Sequence, residues 1–211
     1  ITPQDYARAR KGKQELPEKP VILSFDDGYE DNWRVVLPML EERGMKAVFY
    51  VVTNDIGQPG YMTWDNLFDL ERSGMEIGSH TANHIPLTKL SPEERYDELH
   101  LSKLLLEWRG LKTIYSFSYP NGAYDEAIVA MLPEEEYLTA VTGEAGLNNL
   151  QTNPYLLHRV NIPAPYLGLT EFRLRLMKAD LAARAAVRMA ELPDGVRAPL
   201  ERLRDALRST R

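Results

Sequence analysis

The stretch that decides the fold is Val21-Ile22-Leu23-Ser24-Phe25-Asp26-Asp27-Gly28-Tyr29. Its apolar first half is typical of a strand that is buried on both faces. The run then ends in two carboxylates and a glycine, and the C-terminal ends of strands form the active-site rim of parallel α/β sheets. Because neighbouring side chains on a strand point opposite ways, Asp26 and Asp27 are expected to do different jobs. The alternative is a strand followed by an ordinary Asp-Asp-Gly turn.

Length and composition fit one globular domain. The 211 residues are 44% hydrophobic and 27% charged, which suffices for a single sizeable core. The net charge of −6 argues against nucleic acid as the main partner, because phosphate binding needs a basic face. The chain has no cysteine, which excludes disulfides and thiolate metal sites.

Localisation is left open by the sequence. No apolar run approaches the ~18 residues that span a bilayer, so no transmembrane segment is predicted. The first residue is Ile1 rather than Met, which leaves room for a targeting segment that is missing from the N-terminus.

Strand-like and helix-like segments alternate along the chain, which predicts an α/β fold with a mostly parallel sheet, open or closed into a barrel. Residues 1–20 are expected to be an irregular segment with at most one helical turn. After the first strand, further strands are predicted at 46–52, 76–79, 113–119, 137–142 and 156–162. Helices are predicted at 32–43, 64–73, 92–108, 126–132 and from 170 onward, with a break near 193–195. The helix at 92–108 is expected to turn Leu101, Leu104, Leu105 and Trp108 inward.

A second informative stretch is Gly78-Ser79-His80-Thr81-Ala82-Asn83-His84, which follows a predicted strand. Two histidines four residues apart can bring both imidazoles to one point, although such a pair alone is a weak signal. With one carboxylate of the Asp-Asp pair they suit Zn²⁺ or a similar divalent ion with a position open for water. Such an ion lowers the pKa of bound water from ~15.7 to about 7, and the second carboxylate is then a natural general base.

Three motifs together resemble those of the polysaccharide deacetylases, the NodB-homology domain of carbohydrate esterase family 4. They lie at 24–29, 79–84 and 117–122, and the form of the third is closest to the poly-N-acetylglucosamine deacetylase-like branch. The resemblance covers roughly residues 20–162. It implies a distorted (β/α) barrel at 20–169, preceded by an N-terminal segment at 1–19 and followed by C-terminal helices at 170–211 packed on the same domain.

The resemblance also implies an activity and a metal site. The activity is metal-dependent removal of N-acetyl groups from an N-acetylglucosamine-containing polysaccharide or oligosaccharide, by a water that the metal activates. Asp26 would be the general base. The motifs assign Asp27, His80 and His84 as ligands of one divalent metal ion, with zinc favoured and cobalt or nickel as alternatives. An extracellular or cell-envelope location is favoured as well.

The third motif, by the same resemblance, lines the sugar groove. The backbone N–H of Asn121 would donate to the tetrahedral oxyanion. Pro120 would fix the direction of this loop, and Tyr119 or Tyr124 would lie near the sugar, so all three are candidate substrate-binding residues.

The chain departs from the family at two catalytic positions. Many relatives carry an arginine in the third motif that holds the base, and this chain has Ser118 there. In the branch that it resembles, an arginine near the last strand replaces it, which here is Arg159. Many relatives also have a late histidine that protonates the leaving amine. His158 is the candidate, but it precedes Arg159 and alternation along a strand would turn it away, so Asp26 or the metal-activated water is the alternative acid.

Two rival functions follow from these departures. One is a catalytically inactive carbohydrate-binding domain that has kept the shape of the motifs. The other is a metal-dependent amide or imide hydrolase for a small molecule, for which a closed pocket rather than an open trough is expected.

Overall fold

The computed structural model of the protein describes residues 1–162 and 168–190. In it, the sheet has six strands that lie side by side in chain order, β1-β2-β3-β4-β5-β6. The pairings from β1 to β5 are all parallel, which confirms the predicted α/β class with a parallel sheet. The strands are β1 (Leu23–Phe25), β2 (Ala47–Val51), β3 (Glu76–Ser79), β4 (Ser116–Ser118), β5 (Thr139–Ala145) and β6 (Leu157–Arg159).

The helices are α1 (Pro3–Arg10), α2 (Leu37–Glu42), α3 (Trp64–Arg72), α4 (Pro92–Trp108), α5 (Glu126–Glu134) and α6 (Leu169–Ala190). Helices α2 to α5 connect the strands from β1 to β5 in turn, as parallel pairing requires, whereas α1 precedes β1 and α6 follows β6. Thr63 and Ser91 begin α3 and α4 with capping boxes. The predicted helix at 32–43 begins as a π-helical turn at Asn32–Val36 and continues as α2. Pro38 lies at the start of α2, and its ring leaves no backbone N–H to donate. Within the described residues, no helix has both the length and the apolar character needed to cross a bilayer.

The N-terminal segment differs from its prediction, because it contains a full helix, α1. Thr2 accepts a hydrogen bond from the Asp5 N–H, and Asp5 accepts one from the Thr2 N–H. Pro3 takes the first helical position, where its missing N–H costs nothing. Tyr6 packs into a small core cluster with Val48 and other buried side chains. The helix therefore depends on caps and on one buried aromatic ring rather than on a strong apolar stripe.

Strand β2 is the centre of the core, since each of its five residues is at most 1% exposed. Helix α4 covers the core with Leu99 and Leu106, which are fully buried. The predicted inner face of α4 is wrong for three of its four residues, since Leu101 and Leu104 are each 50% exposed and Trp108 is 76% exposed, while Leu105 is half-buried. The buried side of α4 also carries Glu98 and Lys103, and the ammonium group of Lys103 donates to the carbonyl of Ile114 at 3.1 Å.

Contacts divide the chain into two units, and the candidate residues other than Arg159 lie in the first. This unit comprises residues 1–144 and 148–158, and the second comprises 145–147 and the chain from 159 onward. The predicted C-terminal helix is present as α6, which begins at Leu169. The predicted break near 193–195 and the rest of the chain lie outside the described residues.

Candidate metal centre and active site

Three of the strands, β1, β3 and β4, end at or next to the residues that sequence patterns single out. Asp26 follows β1, His80 follows β3, and Ser118 is the last residue of β4. The parallel register aligns Phe25 with Phe49 and Ser79 with Phe117, so these ends meet at one edge of the sheet. This edge is where ligands bind in open α/β sheets.

The three predicted metal ligands come together. Oδ1 of Asp27 lies 3.5 Å from Nε2 of His80 and 3.4 Å from Nε2 of His84. Metal bonds of 2.0–2.1 Å in a tetrahedron would separate ligand atoms by about 3.3 Å. The spacing of these atoms thus fits a small divalent ion. In residues 1–162 and 168–190, this is the one cluster of His, Asp or Glu side chains that could hold a metal.

His80 is oriented for ligation by its second ring nitrogen. The side chain is 2% exposed, and its Nδ1 lies 2.7 Å from the carbonyl oxygen of Ser118. Because a carbonyl only accepts, Nδ1 carries the proton and Nε2 keeps its lone pair toward Asp27. The neighbouring His80 ring and, to a smaller extent, His84 hold the pKa of Asp27 below its usual value, so this carboxylate is ionised as a ligand must be.

Asp26 occupies a different environment from Asp27. Its Oδ2 accepts a hydrogen bond of 3.1 Å from the hydroxyl of Ser118 and lies 3.9 Å from Nε2 of His80. The side chain is 25% exposed, so water can reach it. Ser118 thus contacts Asp26 directly, and the sequence analysis did not predict this contact.

The backbone at the site is unusual. Asp27, Thr81, His84 and Asn121 have φ between 55° and 73°, and they are four of the five non-glycine residues with positive φ in the described part of the chain. Such left-handed conformations persist only where the surrounding structure enforces them, and they concentrate at functional sites. At His84 the backbone N–H donates to the Thr81 hydroxyl at 3.0 Å.

The loop after β4 corrects one substrate-binding prediction. Tyr119 is fully buried, and its hydroxyl donates to the carbonyl of Tyr155 at 2.9 Å. The prediction that Tyr119 contacts the sugar is therefore wrong for its side chain. Pro120 is also buried. Asn121 is exposed at the turn that follows, and its oxyanion role stays a prediction.

Glycine is required where this loop meets strand β5. A Cβ atom on Gly122, whose φ is +68°, would lie 2.4 Å from the backbone nitrogen of Gly143, which lies in β5. Any side chain at Gly122 would push the loop after β4 away from β5 and would move the peptide of Asn121 with it.

Tyr124 and His158 are joined through Glu144, which the sequence analysis missed. The Tyr124 hydroxyl donates to Oε1 of Glu144 at 2.7 Å, and this hydrogen bond raises the pKa of Tyr124 to about 12. Oε2 of Glu144 lies 3.7 Å from Nδ1 of His158. Arg159 is the last residue of β6 and belongs to the second unit. The predicted catalytic roles of His158 and Arg159 stay predictions.

A family model described as polysaccharide deacetylase matches residues 13–139, which is more than half of the chain. The chain belongs to the polysaccharide deacetylase family. This confirms the family that the three motifs indicated.

Individual relatives agree with this family. YxkH of Bacillus subtilis, named after the same family, is 31% identical over 162 residues, which cover 77% of this chain and 58% of YxkH. The poly-β-1,6-N-acetyl-D-glucosamine N-deacetylase of Escherichia coli K12 is 32% identical over 91 residues, which cover 36% of this chain and 14% of that enzyme. The chain therefore spans less than two thirds of the length of either relative.

The deacetylase fold is also found by structure comparison. The Streptococcus pyogenes deacetylase PplD, solved in complex with acetate, superposes with a TM-score of 0.77 at 25% identity. The match covers 85% of this chain and 78% of PplD. The predicted NodB-type (β/α) barrel fold is thereby confirmed for this family member.

Glu98 on α4 supports the histidine loop, and sequence reasoning missed it. It is 6% exposed, and its Oε2 accepts the backbone N–H groups of Ala82 and Asn83, each at 2.9 Å. Its Oε1 accepts from Nδ2 of Asn83 at 2.6 Å, while Oδ1 of Asn83 accepts from Asn54 at 2.7 Å. The carboxylate thus fixes the backbone between the two histidines. A glutamate on the inner face of a leucine-rich helix was the available signal.

Replacing Glu98 by glutamine is expected to weaken zinc or cobalt binding about 10- to 100-fold, the usual effect of losing an outer partner of a metal site. The new NH₂ group of the glutamine would face Nδ2 of Asn83, so that two donors would meet. Rotating the Asn83 amide to avoid this would break the hydrogen bond that its Oδ1 accepts from Asn54. Metal affinity is measured by titration against a competing chelator. Asp97→Asn, an exposed neighbour with the same change in charge, is the control. Equal affinity in Glu98→Gln and Asp97→Asn would contradict the expectation.

Proposed function

We propose that the protein removes N-acetyl groups from an N-acetylglucosamine-containing polysaccharide or oligosaccharide. The reaction uses one divalent metal ion, preferably zinc, which Asp27, His80 and His84 hold. The observation that carries the proposal is the pair of ligand distances, 3.4 and 3.5 Å, beside a second carboxylate held separately by Ser118. A cation in this position would polarise the acetyl carbonyl and make water a better nucleophile near neutral pH.

The other groups have roles in the hydrolysis. Asp26 takes a proton from the attacking water while the oxygen of that water bonds to the acetyl carbon. The backbone N–H of Asn121 donates to the oxyanion that forms. When the carbon–nitrogen bond breaks, acetate leaves and the amine nitrogen needs a proton. Asp26 can return the one it took, and His158 is the alternative donor, with Glu144 as the counter-ion of its protonated ring. Arg159 is proposed to position Asp26.

A polymer substrate is supported by the exposure of the site. The side chains of Asp26, Asp27 and His84 are 25%, 33% and 36% exposed, so the reacting groups are not enclosed. The E. coli relative is named for a polymer of N-acetylglucosamine. Substrates of this kind lie outside the cytoplasm, and we therefore propose an extracellular or cell-envelope location.

The function is tested by measuring acetate release from N-acetylglucosamine oligomers with β-1,4 and β-1,6 linkages. Protein stripped of metal by a chelator is expected to release none, and activity is expected to return with zinc, cobalt or nickel. Metal binding without release from any oligomer would contradict deacetylation of these sugars and would favour the small-amide hydrolase or the inactive binding domain. A protein that binds no metal would contradict the metal centre itself.

A further inference from the structure

Two tyrosines, Tyr29 exposed and Tyr61 half-buried, form an aromatic pair next to the metal ligands. The rings of Tyr29 and Tyr61 stack with centroids 5.2 Å apart and an interplanar angle of 26°. Tyr29 remains 46% exposed in spite of this stacking. Neither the general base, the ligand set nor the oxyanion donor requires an aromatic side chain at these positions.

The backbone holds this pair rigidly. Tyr29 and Tyr61 form an isolated antiparallel bridge. On either side of it, Met62 N–H donates to the Gly28 carbonyl and Glu30 N–H donates to the Gly60 carbonyl, each at 2.9 Å. Because the two rings are fixed in advance, a ligand that contacts them loses little side-chain entropy on binding.

The pair borders the metal centre. Tyr29 is two residues from Asp27, and Gly28, which lies between them, accepts the N–H of Met62, the residue that follows Tyr61. Tyr61 lies on a different segment, the one that leads through Met62 into α3. An exposed, rigid apolar surface therefore continues directly from the ligands of the site.

We infer that the Tyr29–Tyr61 pair is a subsite for the pyranose ring of the sugar next to the one that is deacetylated. The inference rests on the proposed function, because it assumes a carbohydrate chain that runs past the metal centre. The C–H groups of a pyranose face pack against an aromatic face, whereas the hydroxyl groups at the rim of the sugar stay in water. Such a subsite would select chains over single sugars, since a monosaccharide at the metal cannot reach it.

The test is the dependence of acetate release and of oligomer binding on chain length. In Tyr61→Ala, KM for N-acetylglucosamine tetramers to hexamers is expected to rise about tenfold, the size of one aromatic contact. Tyr61→Phe retains the ring and is expected to restore the KM of the original protein. The control is Tyr96→Ala on α4, because Tyr96 is 45% exposed and stacks on His100 in the same way.

Oligomer binding to metal-stripped protein, measured by calorimetry, separates this inference from the proposed activity. A hexamer is expected to bind the stripped protein and to bind Tyr61→Ala about tenfold more weakly, whether or not acetate is released from it. Equal hexamer affinity in the two proteins, or no hexamer binding to either, would overturn the subsite. A fall in kcat with KM unchanged at every chain length would overturn it as well.

Discussion

The His84→Ala variant is expected to lose its metal ion and to release acetate at least about a thousandfold more slowly, because the cation supplies several kcal/mol of transition-state stabilisation. His84 is the better choice for this test than His80. Its side chain is 36% exposed, whereas His80 is 2% exposed and bonds to Ser118, so truncating His80 would also damage the core. Metal content after gel filtration and acetate release are the two measurements.

His100→Ala is the matched control for this variant. His100 has a similar exposure, 37%, and a similar carboxylate partner, Glu135 at 2.8 Å, but it lies on α4 and not among the ligands. It is expected to keep its metal and its rate. Retention of metal and of near-full activity in His84→Ala would contradict the ligand assignment.

The Asp26→Asn variant is expected to keep its metal and to lose the contribution of a general base, on the order of 10²–10⁴ in kcat. An amide at this position retains an oxygen that can accept the Ser118 hydroxyl, so the loop should keep its geometry. The exposed Asp31→Asn is the control for the change in charge. Zinc affinity and kcat are measured on the same samples.

Two results would contradict the assignment of Asp26. Full activity would show that another group takes the proton. Loss of zinc together with activity would show that Asp26 is a ligand. The distances argue against this role, because Oδ2 of Asp26 lies 3.9 Å from Nε2 of His80, whereas Oδ1 of Asp27 lies 3.5 Å from it.

The sheet was predictable because its strands are short apolar runs that end in turn residues. The run at 46–52 became β2, and Ser91-Pro92-Glu93-Glu94 began α4 with the capping box that its spacing indicates. The rotation of α4 was not predictable from periodicity, because leucines lie on both sides of it. Leu99 and Leu106 face the core while Leu101 and Leu104 face solvent, and Glu98 and Lys103 lie on the buried side, where both have hydrogen-bond partners.

The candidate site divides in the same way. The four-residue spacing of His80 and His84 is local, so the sequence could indicate a shared ligand position. The groups that hold the two histidines are distant along the chain: Ser118 is 38 positions from His80, and Glu98 is 16 from Ala82. Tyr119 was misassigned for a related reason, since a tyrosine in a motif can face the core as easily as the groove, and only the packing decides.

The left-handed residues of the site also affect how this chain can evolve. Each such conformation at a non-glycine residue costs roughly 1–3 kcal/mol, against a net stability of about 5–15 kcal/mol for a typical domain. Burial of the five residues of β2 offsets part of this cost. A substitution that loosens β2 therefore reduces the number of further changes that the site tolerates. Under the proposed function, the evolvability of sugar specificity depends on the core as much as on the residues around the metal site, and libraries aimed at new polysaccharides should start from variants with a stabilised core.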